Sequence, residues 1–270
     1  MKRIILSILL IIISAPCLAQ QKADSFLFFN NMKGNRKIAV EKAILHVGPS
    51  TGAAAVDTLN LGADIDVLMT VPYFEMRENI ESPWLKITYQ KNGFTKVSFV
   101  SAIDVSLTET ILLDNIQILF AVANNAIKVG NNVEHKLDNY NCKLLVLKIN
   151  ILHDSKEVSI PENFNADSIT TNVLKNVCLK NVSEIVQINL KSNQSSNGSL
   201  QFNFANCDNQ NFVQLPIIQS YVNEKINNTS SQELKILNKN SFIITQKESL
   251  NSSFKKETIY KWHDCNYFIK

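Results

Sequence analysis

The sequence is poor in glycine and close to neutral. Its 270 residues include only 7 glycines, which excludes collagen-like chains and glycine-rich linkers. Its formal charge is +3, which is too small to indicate nucleic acid or an anionic membrane as the main partner. A hydrophobic content of 45% nevertheless indicates a folded globular protein rather than a disordered one.

The motifs of common catalytic and metal sites are also missing from the sequence. It contains no glycine-rich phosphate loop, no Gly-x-Ser-x-Gly elbow and no pair of carboxylates in an apolar pocket. The four histidines, His46, His135, His153 and His263, form no pair with metal-ligand spacing. The sequence therefore predicts no catalytic residue, no metal site and no cofactor.

The N-terminus is typical of a secretory signal peptide. Basic residues 2–3 precede the apolar run 4–13, which is too short to span a bilayer, and small residues lead to Ala19. We expect cleavage after Ala19 and export to the periplasm or the medium. The alternative is a lipoprotein acylated at Cys17, which Pro16 directly before the cysteine disfavours. No later segment reaches membrane-spanning length without a charge, so the mature chain is expected to have no transmembrane segment.

After an N-terminal arm at residues 20–37, the sequence changes to short alternating strands broken by turns. Residues 43–51 run from a strand into Gly-Pro-Ser-Thr, and residues 56–68 hold a short strand, a glycine turn and a hydrophobic strand. Residues 84–97 hold Trp-x-x-aliphatic followed by a glycine and a closing valine. In this order the segments resemble the bacterial SH3-like domain family over roughly residues 38–105.

The resemblance implies a five-stranded, partly open barrel at residues 38–106 that docks to cell-wall peptide or to a neighbouring domain. One position departs from the family, because Lys96 stands where an aromatic residue usually precedes the closing Val97. Side chains alternate between the faces of a strand. Alternation predicts that Val97 and Leu85 point into the barrel, while Lys96 and Trp84 point outward.

Aromatic and basic side chains of this barrel are the candidate ligand contacts. We expect Trp84 to contribute most, together with Tyr73, Phe94, Lys96 and His46. His46 is included because the family signature often has a basic residue at its position. The alternative is that Trp84 packs against the following domain or the N-terminal arm, since aromatics on small barrels often cover neighbouring structure.

Residues 108–270 predict a second, larger all-β domain of unidentified family. The predicted strands are 143–152, 184–191, 199–205, 233–237, 242–246, 258–263 and 266–269. Asn197-Gly198 is a strong turn signal between two of them, and only 167–179 and 217–226 are compatible with short helices. The predicted fold class is all-β, a small SH3-like barrel followed by a larger antiparallel β-sandwich or barrel-like domain.

Signal-peptide cleavage would leave four cysteines, all beyond residue 108. An even number in an exported chain is compatible with two disulfides, for which three connectivities exist. We favour Cys142 with Cys178 and Cys207 with Cys265, because the last two each end a strand beside an acidic turn residue. The alternative is that some are buried free thiols.

Together these features predict an exported, non-catalytic protein of the cell envelope. Its SH3-like domain would bind peptide, cell-wall material or an envelope protein, and no nucleic acid. The alternatives are an envelope hydrolase or an inhibitor of one, with its site in residues 108–270.

Overall fold

The structure is a computed structural model. It describes residues 29, 32–77, 80–123, 141–160, 164, 166, 168–175, 177–192, 196–208, 211–223, 228–250 and 252–270. The predicted signal peptide and the alternative acylation site at Cys17 lie outside these residues. Within the described ranges, no helix is long and apolar enough to cross a membrane.

The described chain is all-β, as predicted, and forms three antiparallel sheets. The N-terminal sheet has six strands in the order β1-β4-β5-β6-β2-β3. Its strands are β1 Gly34–Lys37, β2 Lys42–His46, β3 Ala55–Asn60, β4 Asp64–Arg77, β5 Ile80–Lys91 and β6 Phe94–Ser101.

The middle sheet has four strands in the order β10-β9-β8-β7. They are β7 Thr108–Ile111, β8 Ile116–Val122, β9 Asn141–Lys148 and β10 Ile151–Ser159. The expected single strand over 143–152 is wrong, because Ile149 and Asn150 adopt left-handed backbone angles and form a hairpin turn. Side chains on both faces of β9 are buried, so strict alternation is lost in its centre.

The long sheet has nine strands and contains the rest of the chain. They are β11 Ser168–Lys175, β12 Val182–Ser192, β13 Ser196–Cys207, β14 Phe212–Gln214, β15 Ile218–Asn223, β16 Asn228–Asn238, β17 Ser241–Leu250, β18 Ser252–His263 and β19 Asn266–Ile269. The helices considered at 167–179 and 217–226 are wrong, since β11 and β15 occupy these segments. Pairing with β12 along the whole of β11, and with β13 along β15, fixes the extended conformation.

One continuous apolar core joins the three sheets. It contains Ile87 of the N-terminal sheet, Phe120 and Leu144 of the middle sheet, and Phe202 and Phe204 of the long sheet. The apolar face predicted for 199–205 is therefore the one that packs against the middle sheet. Large apolar side chains from distant segments exclude water together, which holds the sheets face to face.

A second apolar cluster lies on the opposite face of β12 and β13. There Ile185 and Ala205 pack with Phe242 of β17 and Trp262 of β18. The Trp262 indole N–H donates to the carbonyl oxygen of Lys180 at 2.8 Å. These contacts fasten the C-terminal hairpins to the centre of the long sheet.

One of the two predicted disulfides is present in the structure. Cys207 and Cys265 form a disulfide with a Cα–Cα distance of 6.2 Å, at the edge of the second cluster. The predicted Cys142–Cys178 pair is wrong. Cys142 is a free thiol on β9 inside the core, where burial raises its pKa, whereas Cys178 is an exposed free thiol.

Candidate binding site

Trp84 lies on the outer face of the N-terminal sheet. It pairs with Val71 of β4 and Ser101 of β6, while its neighbour Leu85 points into the core. The side chain of Trp84 is nevertheless only 1% exposed. No ligand can reach the indole while its covering is in place, so the structure favours the packing alternative for Trp84.

Within the described residues, contacts that cover Trp84 come from its own sheet. The imidazole of His46, on β2, meets the indole edge-on with 5.2 Å between ring centroids. His46 Nδ1 donates to the carbonyl oxygen of Ala53 at 2.8 Å. His46 is therefore buried between Trp84 and the segment 48–54, here called the signature loop.

Glu75, on β4, clamps the signature loop to the sheet. The Ser50 hydroxyl donates to Oε1 at 2.6 Å, and the Thr51 backbone N–H donates to Oε2 at 2.8 Å. The Trp84 side chain also donates to this carboxylate. Partial burial would by itself raise the pKa of Glu75, but these hydrogen bonds to the charged form outweigh it and lower the pKa.

Exposed apolar side chains lie beside this clamp. Tyr73, two residues before Glu75, follows a bulge between Val71 and Phe74 and is 49% exposed. Val47 directly precedes the signature loop and is 60% exposed. We call Val47, Tyr73 and the signature loop the candidate binding surface. It consists of a loop held in place by hydrogen bonds and flanked by apolar side chains. Both carboxylate oxygens of the neighbouring Glu75 already accept hydrogen bonds.

Phe94 and Lys96 do not belong to this surface. Phe94 pairs with Lys91 at the tip of the β5–β6 hairpin, whereas Trp84 pairs with Ser101 at its base. Seven residues of strand separate the two pairs, roughly 23 Å at about 3.3 Å per residue. The structure thus brings His46 and Trp84 together, leaves Tyr73 exposed near them, and places Phe94 and Lys96 at the other end of the hairpin.

The expectation that Val97 points into the barrel is wrong. Val97 is 55% exposed, and Val100 is the β6 residue that enters the core. Val100 pairs with Leu85, so the face that carries Val100 also carries Ser98 and Lys96. The pairing of β6 with β5 therefore decides which side chains of β6 enter the core. The sequence pattern of β6 alone does not determine this pairing.

An ion pair holds the tip of the β5–β6 hairpin to β3. Asp57 accepts from Lys91 Nζ, from its neighbour's backbone N–H and from the Tyr89 hydroxyl at 3.0 Å. Led by the hydrogen bond from Lys91, these contacts lower the pKa of Asp57 to about 2. Sequence reasoning missed both Asp57 and Glu75. Their only signal is an acidic residue within a strand, and their partners come from other segments.

The described residues contain no group of three or more His, Cys, Asp or Glu side chains that could hold a metal ion. Comparison with family models, curated proteins and solved structures found no match to this chain. The resemblance to the bacterial SH3-like family therefore depends on the sequence segments that carry it.

Proposed function

We propose that this protein is an exported, non-catalytic binding protein of the cell envelope. In this proposal the N-terminal sheet is an SH3-like domain, and its candidate binding surface takes a peptide, either in the cell wall or in an envelope protein. The observation that carries the proposal is a signature loop fixed by Glu75 and His46 beside exposed Tyr73 and Val47.

The chemistry of this surface suits a peptide better than a charged small molecule. Glu75 already accepts three hydrogen bonds and has little capacity left for a cationic ligand. Tyr73 offers an aromatic face with a polar tip, which is typical of residues that dominate binding interfaces. Because the loop is already ordered, binding would not have to meet the entropy cost of ordering it.

Binding is tested with purified cell-wall sacculi and with a detergent-free envelope extract, each incubated with the exported protein and sedimented. We expect Tyr73→Ala to reduce the bound fraction at least fivefold. Phe94→Ala is the matched control, because it removes an even more exposed aromatic residue of the same sheet from the tip of the β5–β6 hairpin, away from the candidate binding surface.

Loss of binding in Phe94→Ala with binding intact in Tyr73→Ala would place the site at the hairpin tip and contradict the proposal. The absence of any binding to either material would contradict it entirely. Mass spectrometry of the same exported protein should show a chain that begins at Gln20. A diacylglyceryl mass on Cys17 would instead show a lipoprotein.

A further inference from the structure

β10 is the edge strand of the middle sheet. Within the described residues its backbone pairs with β9 alone, from Ile151 to Ser159, with a bulge at His153. A nine-residue edge strand offers a row of backbone donors and acceptors to another chain. Charged side chains on an edge strand commonly prevent another strand from pairing with it. The arrangement of charges on β10 therefore decides whether a further strand can pair there.

The charges of β10 are complementary to those of a second, antiparallel β10. The strand reads His153-Asp154-Ser155-Lys156-Glu157 about its centre. When two copies pair with Ser155 opposite Ser155, each Asp154 faces a Lys156.

Neighbouring registers lose this complementarity. The side chains of the two strands keep matching faces only when the register shifts by two residues. Such a shift places Asp154 opposite Asp154 in one direction and Lys156 opposite Lys156 in the other, so like charges meet in both cases. Of these registers, only the one centred on Ser155 places Asp154 opposite Lys156.

The directions in which the side chains of β10 point are compatible with this register. Asp154 and Lys156 pair with Val146 and Leu144 of β9, so they share the face that looks toward the long sheet. Glu157 and Ser155 lie on the other face. A bulge at His153 ends the regular alternation there, so the matched segment is 154–156.

We propose that the protein forms a two-fold symmetric homodimer through antiparallel pairing of β10 with β10 of a second copy. The two middle sheets then join into one eight-stranded sheet across the dimer axis. Because the axis passes between the two Ser155 residues, the same strand supplies both halves of the interface. This inference is independent of the proposed ligand of the N-terminal sheet.

In the single chain, the side chain of Asp154 is bonded both to its own strand and to β14, where Oδ2 accepts from the Phe212 backbone N–H at 3.3 Å. The Ser155 backbone N–H donates to Asp154 Oδ1 at 2.8 Å, and Lys156 Nζ lies 3.3 Å from the same oxygen. On pairing, the Ser155 N–H donates to the Ser155 carbonyl of the second copy, and Asp154 faces Lys156 of that copy. Because local bonds are exchanged for bonds across the interface, the dimer is weak and depends on protein concentration.

A cysteine at the dimer axis provides the direct test. In a Cys178→Ser background, which removes the exposed native thiol, Ser155→Cys places two thiols opposite each other. Directly opposite Cα atoms in an antiparallel pair are about 4.5–5.5 Å apart, which is within disulfide range. We expect a covalent dimer on mild oxidation. Ser159→Cys is the matched control, because Ser159 residues of the two copies lie far from each other in this register and stay unlinked.

Charge variants test the register. Sedimentation equilibrium of the mature full chain should show a monomer–dimer equilibrium. Lys156→Glu should weaken the dimer about tenfold, since it turns the two attractive Asp154–Lys156 cross-strand pairs into repulsive ones. The double variant Asp154→Lys/Lys156→Glu restores opposite charges and should restore the dimer.

A monomer at every concentration up to the solubility limit, with no Ser155→Cys cross-link, would overturn the proposal. Equal cross-linking of the Ser155 and Ser159 variants would overturn it too, because it would show random collision. So would a dimer that is indifferent to Lys156→Glu, since such a dimer would use another surface. Strand addition of an unrelated peptide to β10 in a chain that stays monomeric would likewise refute self-pairing.

Discussion

Replacement of Trp84 by alanine separates a packing role from a ligand-contact role. The side chain is 1% exposed, and its removal leaves a space between the sheet and the signature loop. Deleting a buried aromatic side chain costs about 3–5 kcal/mol. Trp84 lies outside the main core and its covering loop can relax, so we expect a loss of about 3 kcal/mol in the free energy of unfolding.

That loss is measurable in two ways. In a chain of this size it corresponds to a decrease in melting temperature of about 6–12 °C, and urea unfolding should give the same free-energy change. Hydrogen exchange should show faster exchange at the Thr51 amide, which donates to Glu75. Tyr73→Ala is the control on the neighbouring surface and should change stability by no more than about 0.5 kcal/mol.

The opposite result would refute this reasoning. If Trp84→Ala costs less than about 1 kcal/mol, as surface substitutions do, and the loop amides exchange as before, the indole does not hold the loop. Trp84→Phe adds a further comparison, because it retains an aromatic ring but loses the N–H that donates to Glu75. The pKa of Glu75 should then rise toward its ordinary value, which carboxyl NMR titration would detect.

Two further predictions concern the turn at Gly62 and the disulfide. Gly62 has φ +80, and a Cβ there would lie 2.7 Å from Asn150 Oδ1, whereas Gly93 has φ +78 and open space. Gly62→Ala should therefore cost about 1–2 kcal/mol more than Gly93→Ala in urea unfolding, and equal costs would contradict the contact between Gly62 and Asn150. The Cys207–Cys265 disulfide closes a sequence separation of 58 residues, so its reduction should remove about 4 kcal/mol of stability. Titration of the unfolded, unreduced mature chain should find two thiols, and four thiols would contradict the bond.

Local patterns predicted the strands that are buried on one face. The hairpin of β12 and β13 was predicted because Leu200, Phe202 and Phe204 alternate with polar residues and Asn197-Gly198 marks the turn. The pattern was misleading for β9, because apolar residues cover both of its faces and hide the period of two. It was also misleading for β11, whose extended conformation comes from pairing with β12, a long-range contact.

The candidate site was predictable only in part, for a related reason. Alternation correctly gave the outward direction of Trp84, but burial depends on what covers that face. The covering within the described residues includes His46 and the signature loop, which Glu75 holds by hydrogen bonds. The order β6-β2-β3 of the sheet brings His46 and this loop next to Trp84. The wrong orientation predicted for β6 also comes from a contact between distant segments. Val97 and Val100 are equally apolar, and only the pairing of Val100 with Leu85 shows which of the two enters the core.

The continuous core has a consequence for how such a chain can be rearranged in evolution. Ile103, Val105 and Leu107, which follow the N-terminal sheet, are buried with Ile118 and Phe120 of β8. Gene fusion that carried away the N-terminal sheet alone would leave these apolar side chains in water, at about 25 cal/mol for each Å² uncovered. Because the same core also contains Phe202 and Phe204 of the long sheet, we expect the three sheets to be inherited together, so that duplication or shuffling does not separate them at the end of β6 or of β10.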